Sequence, residues 1–262
     1  MDLGLTGRTF VVTGASNGVG LATAALLLTD GANVGVCARD AGRLRAAVDG
    51  LPAAAGARAL CLGCDVLDGE AVARFVGDVA AEFGGIDGVV NNAGQSLMRP
   101  LFETTELEWT EQVQLKLFSV LNTVRSALPW LRRSPVASVV NVNAILARQP
   151  EGRLAATGAA RAALLNLSAT MATELAPDGV RVNSVCLGLI DTGQWHRRYE
   201  AAGTDRSYEQ WTAELAEDRG IALGRIGTAE EVAFPIVGLL SPRSSYVTGA
   251  SLDIGGGVSR YV

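Results

Sequence analysis

The segment Thr13-Gly14-Ala15-Ser16-Asn17-Gly18-Val19-Gly20 sets three glycines among small polar residues, a composition suited to holding phosphate against backbone. It follows the β-branched run Thr9–Thr13 and opens an Ala/Leu-rich stretch, so it joins a strand to a helix N-terminus, where N–H groups and the helix dipole favour anions. Gly14 permits the tight turn, Gly18 lets backbone approach a pyrophosphate, and Gly20 lets the helix pack closely on the sheet. Ser16, Asn17 and Val19 complete the candidate dinucleotide contacts in this turn.

A second charge-bearing position follows the next strand. That strand ends at Ala38 and is followed by Arg39 rather than by a carboxylate. An acid there would accept hydrogen bonds from a ribose 2′-hydroxyl; a guanidinium suits a 2′-phosphate instead. The expectation is NADP(H) in preference to NAD(H), with Asp40 able to draw Arg39 into a surface ion pair instead. Cys61 and Cys64 form a C-x-x-C, but on a strand the two side chains point to opposite faces. All four cysteines therefore read as core packing, not as a metal or redox pair. His196, the only histidine, reads as able to reach a substrate or as one of an exposed helical run. Glu151 and Arg153 read as substrate-rim residues or as a solvated loop.

The elements that must position these groups alternate along the chain. Strands are expected at Thr9–Thr13, Asn33–Ala38, Arg58–Leu62, Gly88–Asn91, Ser138–Val142, Arg181–Val185 and Ser251–Ile254. Helices are expected at Val19–Thr29, Ala41–Gly50, Gly69–Phe83, Glu106–Arg132, Arg153–Ala176 and Ala229–Leu240. Capping boxes stand at Thr105/Glu108, Ser207/Gln210 and Thr228/Glu231. Such alternation predicts an α/β fold: a single-domain, doubly wound parallel (Rossmann) sheet of about seven strands over residues 1–262, helices on both faces. Residues 192–224 break the rhythm and carry Trp195, His196 and Trp211. They read equally as a substrate lid or as a surface helix with aromatic anchors.

Composition narrows the class. With 22 basic and 27 acidic residues, a net charge of −5 and 48% hydrophobic residues, the chain carries no electrostatic footprint for nucleic acid. It shows neither a signal peptide nor an apolar run long enough for a membrane span, so a soluble cytoplasmic protein is expected.

With Asn91-Asn92-Ala93-Gly94 in view, the chain resembles the short-chain dehydrogenase/reductase family, whose cofactor turn is T-G-x-x-x-G-x-G and whose fourth strand is followed by N-N-A-G. Asp65-Val66 matches the family's adenine-side pair. Arg181-Val182-Asn183 with Gly188, Ile190 and Thr192 matches the stretch that closes over the nicotinamide, although Leu187 stands where the family has proline. Thr248-Gly249 and Gly255-Gly256-Gly257 also fit. The resemblance covers residues from about 5 to 258. It implies an oxidoreductase, and a homodimer or homotetramer built on the two long helices.

The family's catalytic relay of Asn, Ser, Tyr and Lys is not carried over. Ala144 stands where serine is due, Thr157 where tyrosine is due, Arg161 where lysine is due and Lys116 where asparagine is due; no tyrosine precedes Tyr199. Arg161 can hold ribose hydroxyls but cannot give up a proton. A Lys116 ammonium near that guanidinium would be lowered toward neutrality by repulsion and burial, making it a competent acid. Lys116 is thus the expected proton donor or carbonyl polariser, Arg161 the ribose anchor, and Asn143 or Thr157 the group that orients substrate. Trp195, Trp211, Leu97 and Leu187 suggest a fairly hydrophobic small-molecule substrate. A non-redox dehydratase or isomerase, or a catalytically silent dinucleotide-binding protein, are the alternatives.

Overall fold

Short, continuously apolar strands are what a sheet covered on both faces requires, and the computed structural model, which describes residues 2–261, contains such a sheet. Its seven strands are β1 (Thr9–Thr13), β2 (Asn33–Ala38), β3 (Ala59–Gly63), β4 (Gly88–Asn91), β5 (Ser138–Ala144), β6 (Arg181–Leu187) and β7 (Ser251–Ile254). They run in the order β3-β2-β1-β4-β5-β6-β7 with parallel pairing throughout. The first half of the chain builds outward from β1 in one direction and the second half in the other. The order therefore reverses between β1 and β4, the point at which such sheets open a crevice at their C-terminal edge.

Alternate side chains divide between two cores. Phe10, Val12, Val34 and Val36 pack with α1 (Gly18–Thr29), α2 (Ala41–Val48) and α9 (Ala229–Leu240). Val11, Cys37 and Val89 pack on the other face with α3 (Gly69–Phe83), α5 (Ser119–Leu131) and α6 (Ala155–Leu175). Cys61 packs toward the first core and Cys64 sits in the second, so the C-x-x-C is split across the sheet. No group of three or more potential metal ligands exists among the described residues. Nor, among them, is any helix long and apolar enough to cross a membrane.

One expectation needs correction. The helix expected at Glu106–Arg132 is α4 (Glu106–Val113), a π-helical turn over Gln114–Phe118, and then α5. Residues 192–224 contain α7 (Gly193–Ala202) and α8 (Tyr208–Arg219). All three capping boxes are formed.

Candidate active site

The C-terminal edge of the sheet opens on a cavity of about 900 Å³. The turn after β1 forms one wall. Gly14 has φ +68°, and a Cβ there would lie 2.8 Å from the Ala93 Cα. Both the left-handed backbone and the close approach exclude larger residues. Asn92 locks the turn by donating from Nδ2 to the carbonyls of Thr13 at 2.9 Å and Gly14 at 3.1 Å. At Gly20 a Cβ would meet the Asn92 Nδ2 at 2.5 Å and the Gly14 carbonyl at 2.6 Å. Gly20 thus serves the packing of α1 and is not itself part of the cavity lining.

Arg39 lines the same wall, and so does Arg43, one helical turn later. Asp40 does not pair with Arg39; its carboxylate accepts from the Arg43 backbone N–H at 2.9 Å and caps α2. Two guanidiniums therefore face the cavity with no ion-pair partner among the described residues. Asp65, Val66, Ala93 and Gly94 complete this side. The residues present fit a dinucleotide: a glycine cradle that a Cβ would fill, and two unpaired guanidiniums on the same wall.

Deeper in, the π-turn brings Lys116 into the cavity. An inserted residue in the helical ladder re-aims side chains locally, and here the result is a lysine only 3% exposed. Its Nζ donates to the Gln95 carbonyl at 2.7 Å. Burial and, secondarily, the Arg161 charge push it down to about 6. Arg161 itself is pushed by burial to about 10. Its Nη1 donates to the Val142 carbonyl at 3.3 Å, and its buried Nε has no partner. Ala144, Ile145, Leu187 and Trp195 supply an apolar wall.

The comparisons with known proteins agree with this geometry. The enoyl-(acyl carrier protein) reductase family model matches residues 14–259. A short chain oxidoreductase from Pseudomonas aeruginosa, solved with NADPH and described as containing an atypical catalytic center, is 47% identical. It covers 97% of this chain and 98% of its own, with a TM-score of 0.91. L-sorbose reductase from Gluconobacter frateurii, solved with NADPH and L-sorbose, is 30% identical over 100% of both chains, with a TM-score of 0.95. The short-chain reductase protein NovJ of Streptomyces niveus is 34% identical over 94% of this chain and 92% of its own. The chain belongs to the short-chain dehydrogenase/reductase family.

Within this short-chain oxidoreductase the expected site residues divide. Gly14, Ser16, Asn17, Gly18, Val19, Arg39, Asp65, Val66, Asn92, Ala93, Gly94, Lys116, Asn143, Arg161, Gly188, Ile190 and Thr192 all line the one cavity. Thr157 does not. It is fully buried, its hydroxyl accepting from the Leu97 N–H at 3.0 Å and lying 3.0 Å from the Gln112 Oε1. Asn143 lines the cavity, but its side-chain amide donates to the Arg161 carbonyl at 3.0 Å and its carbonyl accepts from the Ala144 N–H at 2.9 Å. Thr157 therefore braces the site, and Asn143 is held in place on its lining. Leu97 and Trp211 also stand off the lining, whereas Met98, Trp195 and Leu187 are on it. Arg181, at the N-terminal end of β6, is remote from the crevice and donates to the carbonyls of Leu239, Val247 and Ser241.

The oxidoreductase's segment 192–224 contributes to the cavity wall. Gln194, Trp195, Arg197, Arg198 and Arg219 from it line the opening, and Arg219 pairs with Glu151 across from α8. Arg153, at φ +64°, is off the lining, its carbonyl accepting from the Arg99 N–H at 2.7 Å. His196 is off it too: its Nε2 lies 3.2 Å from Asp191 and its ring stacks on Tyr208 at 4.2 Å. Tyr208 donates to the same Asp191 oxygen at 2.5 Å. None of Tyr199, Tyr208, Tyr246 and Tyr261 lines the cavity. Arg43, Gln95 and Arg198 were missed by sequence reasoning. Only Arg43 left a signal there, by standing one helical turn from Arg39.

Proposed function

We propose that the protein is an NADP(H)-dependent oxidoreductase that interconverts the carbonyl and alcohol forms of a small molecule, with Lys116 moving the proton. One observation carries the reading: the cavity that fits the dinucleotide contains a single buried amine, and it titrates near neutrality. When bound, the nicotinamide supplies or takes the hydride. Lys116 does the rest of the exchange at the substrate oxygen. In reduction its ammonium donates to the developing alkoxide; in oxidation its neutral amine takes the hydroxyl proton. The Gln95 carbonyl fixes the Nζ position, burial and secondarily the Arg161 charge hold the amine low, and Arg161 engages ribose hydroxyls. The apolar wall excludes water and strengthens each of these interactions.

Arg39 and Arg43 support NADP(H) over NAD(H). Leu107 and Phe118, both exposed on the α4–α5 flank, support a homodimer or homotetramer assembled through that flank.

The test is loss of NADPH absorbance with a panel of ketones, 2-oxo acids, quinones and imines, repeated with Lys116→Met. Turnover that falls about 100-fold or more in the variant is expected, the usual scale for a general acid. Turnover unchanged in the variant would overturn the role of Lys116. Tight NADPH binding with no turnover on any panel member would favour a silent dinucleotide-binding protein.

A further inference from the structure

Lys116 is buried and Arg161 half-buried with its Nε fully enclosed, two basic groups without a carboxylate between them. Nζ of Lys116 donates to a neutral carbonyl, and Nε of Arg161 is buried and unpartnered. Among the described residues, neither side chain takes part in an ion pair. Burial of an ion costs several kcal/mol unless an opposite charge or good hydrogen bonds offset it, and a like charge nearby adds to the cost.

The carboxylates on the cavity lining do not offset it. Asp40 caps α2, Asp65 accepts from the Leu67 N–H at 3.0 Å, Glu151 pairs with Arg219, and Glu111 is exposed on α4. Lys116 responds to burial and to Arg161 alone. A ribose hydroxyl would satisfy an Arg161 donor yet leave its charge uncompensated. A bound dinucleotide's phosphates would have the Gly14–Gly18 turn, Arg39 and Arg43, which lie beyond β1 and β2, whereas Lys116 and Arg161 stand beside β4 and β5. This end of the cavity is therefore built for an anion of another kind.

We propose that Lys116 and Arg161 form an anion subsite and that the substrate is a short 2-oxo acid or its 2-hydroxy acid. This assignment rests on Lys116 as the group that meets the reacting oxygen. The carboxylate faces Arg161, and the carbonyl on the adjacent carbon faces Lys116. The remaining chain lies along Ala144, Ile145, Leu187 and Trp195. In reduction a hydride reaches the carbonyl carbon from NADPH, the oxygen takes a proton from Lys116, and NADP⁺ and the hydroxy acid leave. The lysine then recovers its proton from solvent. An arriving carboxylate also favours the charged form of Lys116, so the substrate arms its own proton donor.

Oxamate, an unreactive mimic, and its neutral ethyl ester can be titrated calorimetrically into the protein–NADPH complex. Oxamate is expected to bind at least about tenfold more tightly than the ester, and to weaken at least about tenfold in Arg161→Met, the scale of a lost charge-assisted contact. Arg161→Lys should keep most of the affinity. NADPH fluorescence reports whether each variant still takes the dinucleotide, and urea unfolding whether it is folded. Equal binding of acid and ester, absence of oxamate binding, or affinity untouched in Arg161→Met would overturn the subsite. The two readings fail separately. Oxamate binding with no turnover of any 2-oxo acid sinks Lys116 as proton donor but keeps the subsite. Turnover of 2-oxo esters as fast as the acids does the reverse.

Discussion

Lys116 donates a 2.7 Å hydrogen bond to the carbonyl of Gln95, just beyond the Asn91–Gly94 turn after β4. That contact ties the π-turn between α4 and α5 to the strand end at the topological switch point. It aims a buried amine at the place where the sheet opens, and the chemistry argued above depends on it.

The first consequence is a pH signature. Lys116 sits at about 6, so its ammonium fraction falls as pH rises through that value. Carbonyl reduction should therefore decline above about pH 6 and alcohol oxidation should rise through the same point. Lys116→Arg, cationic at every accessible pH, should lose both inflections. Rate profiles from pH 5 to 9 in the two directions decide this; an unchanged profile in the variant would refute it.

The same burial has a cost in stability. The folded value of Lys116 lies below its ordinary 10.5, so between the two the unfolded chain holds the extra proton and stability rises with pH. The cost is fully present below about 6 and is relieved toward 10.5. Lys116→Met should then stabilise the protein by roughly 2–4 kcal/mol at pH 6–7, with the gain shrinking toward pH 10. Urea unfolding of both proteins at pH 6, 8 and 10 measures it.

Arg39 and Arg43 make a prediction about cofactor choice. Replacing either with Ala should weaken NADPH binding about 10- to 100-fold, as loss of a guanidinium–phosphate pair does, while NADH affinity changes less than about threefold. Fluorescence titration with both nucleotides reads the contrast. Equal losses for the two would place the arginines elsewhere than at the 2′-phosphate.

Asp191 takes Tyr208 of α8 at 2.5 Å and His196 of α7 at 3.2 Å on one oxygen, a latch on the two helices that we propose as a lid. Desolvation and then Asp191 raise the Tyr208 hydroxyl, so it stays protonated and donating. Tyr208→Phe removes one buried-side hydrogen bond, a loss of about 1–2 kcal/mol. It should speed tryptic cleavage at Arg197, Arg198 and Arg206 and raise KM with kcat little changed. Cleavage no faster than in the wild type would show that the latch does not hold the lid.

The strands were legible because a parallel sheet buried on both faces forces short apolar runs, and the termini of β1, β2, β4 and β7 fall where those runs end. The cofactor wall was legible for a related reason: Gly14 and Gly20 tolerate no side chain, and that requirement stays written locally in the chain. For Thr157 and Asn143, sequence position reports which element carries the side chain but not which neighbour claims its hydrogen bonds. Leu97, Gln112, Ala144 and Arg161 claim them here.

The sequence by itself determined a doubly wound sheet and a glycine-rich turn after its first strand, and it offered a lysine and an arginine as candidates for one site. Only the tertiary structure decided what that pair is. The π-turn is one extra residue in a helical ladder, invisible to periodicity, and it buries Lys116 at the switch point. Desolvation and the unpaired Arg161 charge depend on everything packed around them, and those long-range terms turn an ordinary lysine into a group poised near neutrality.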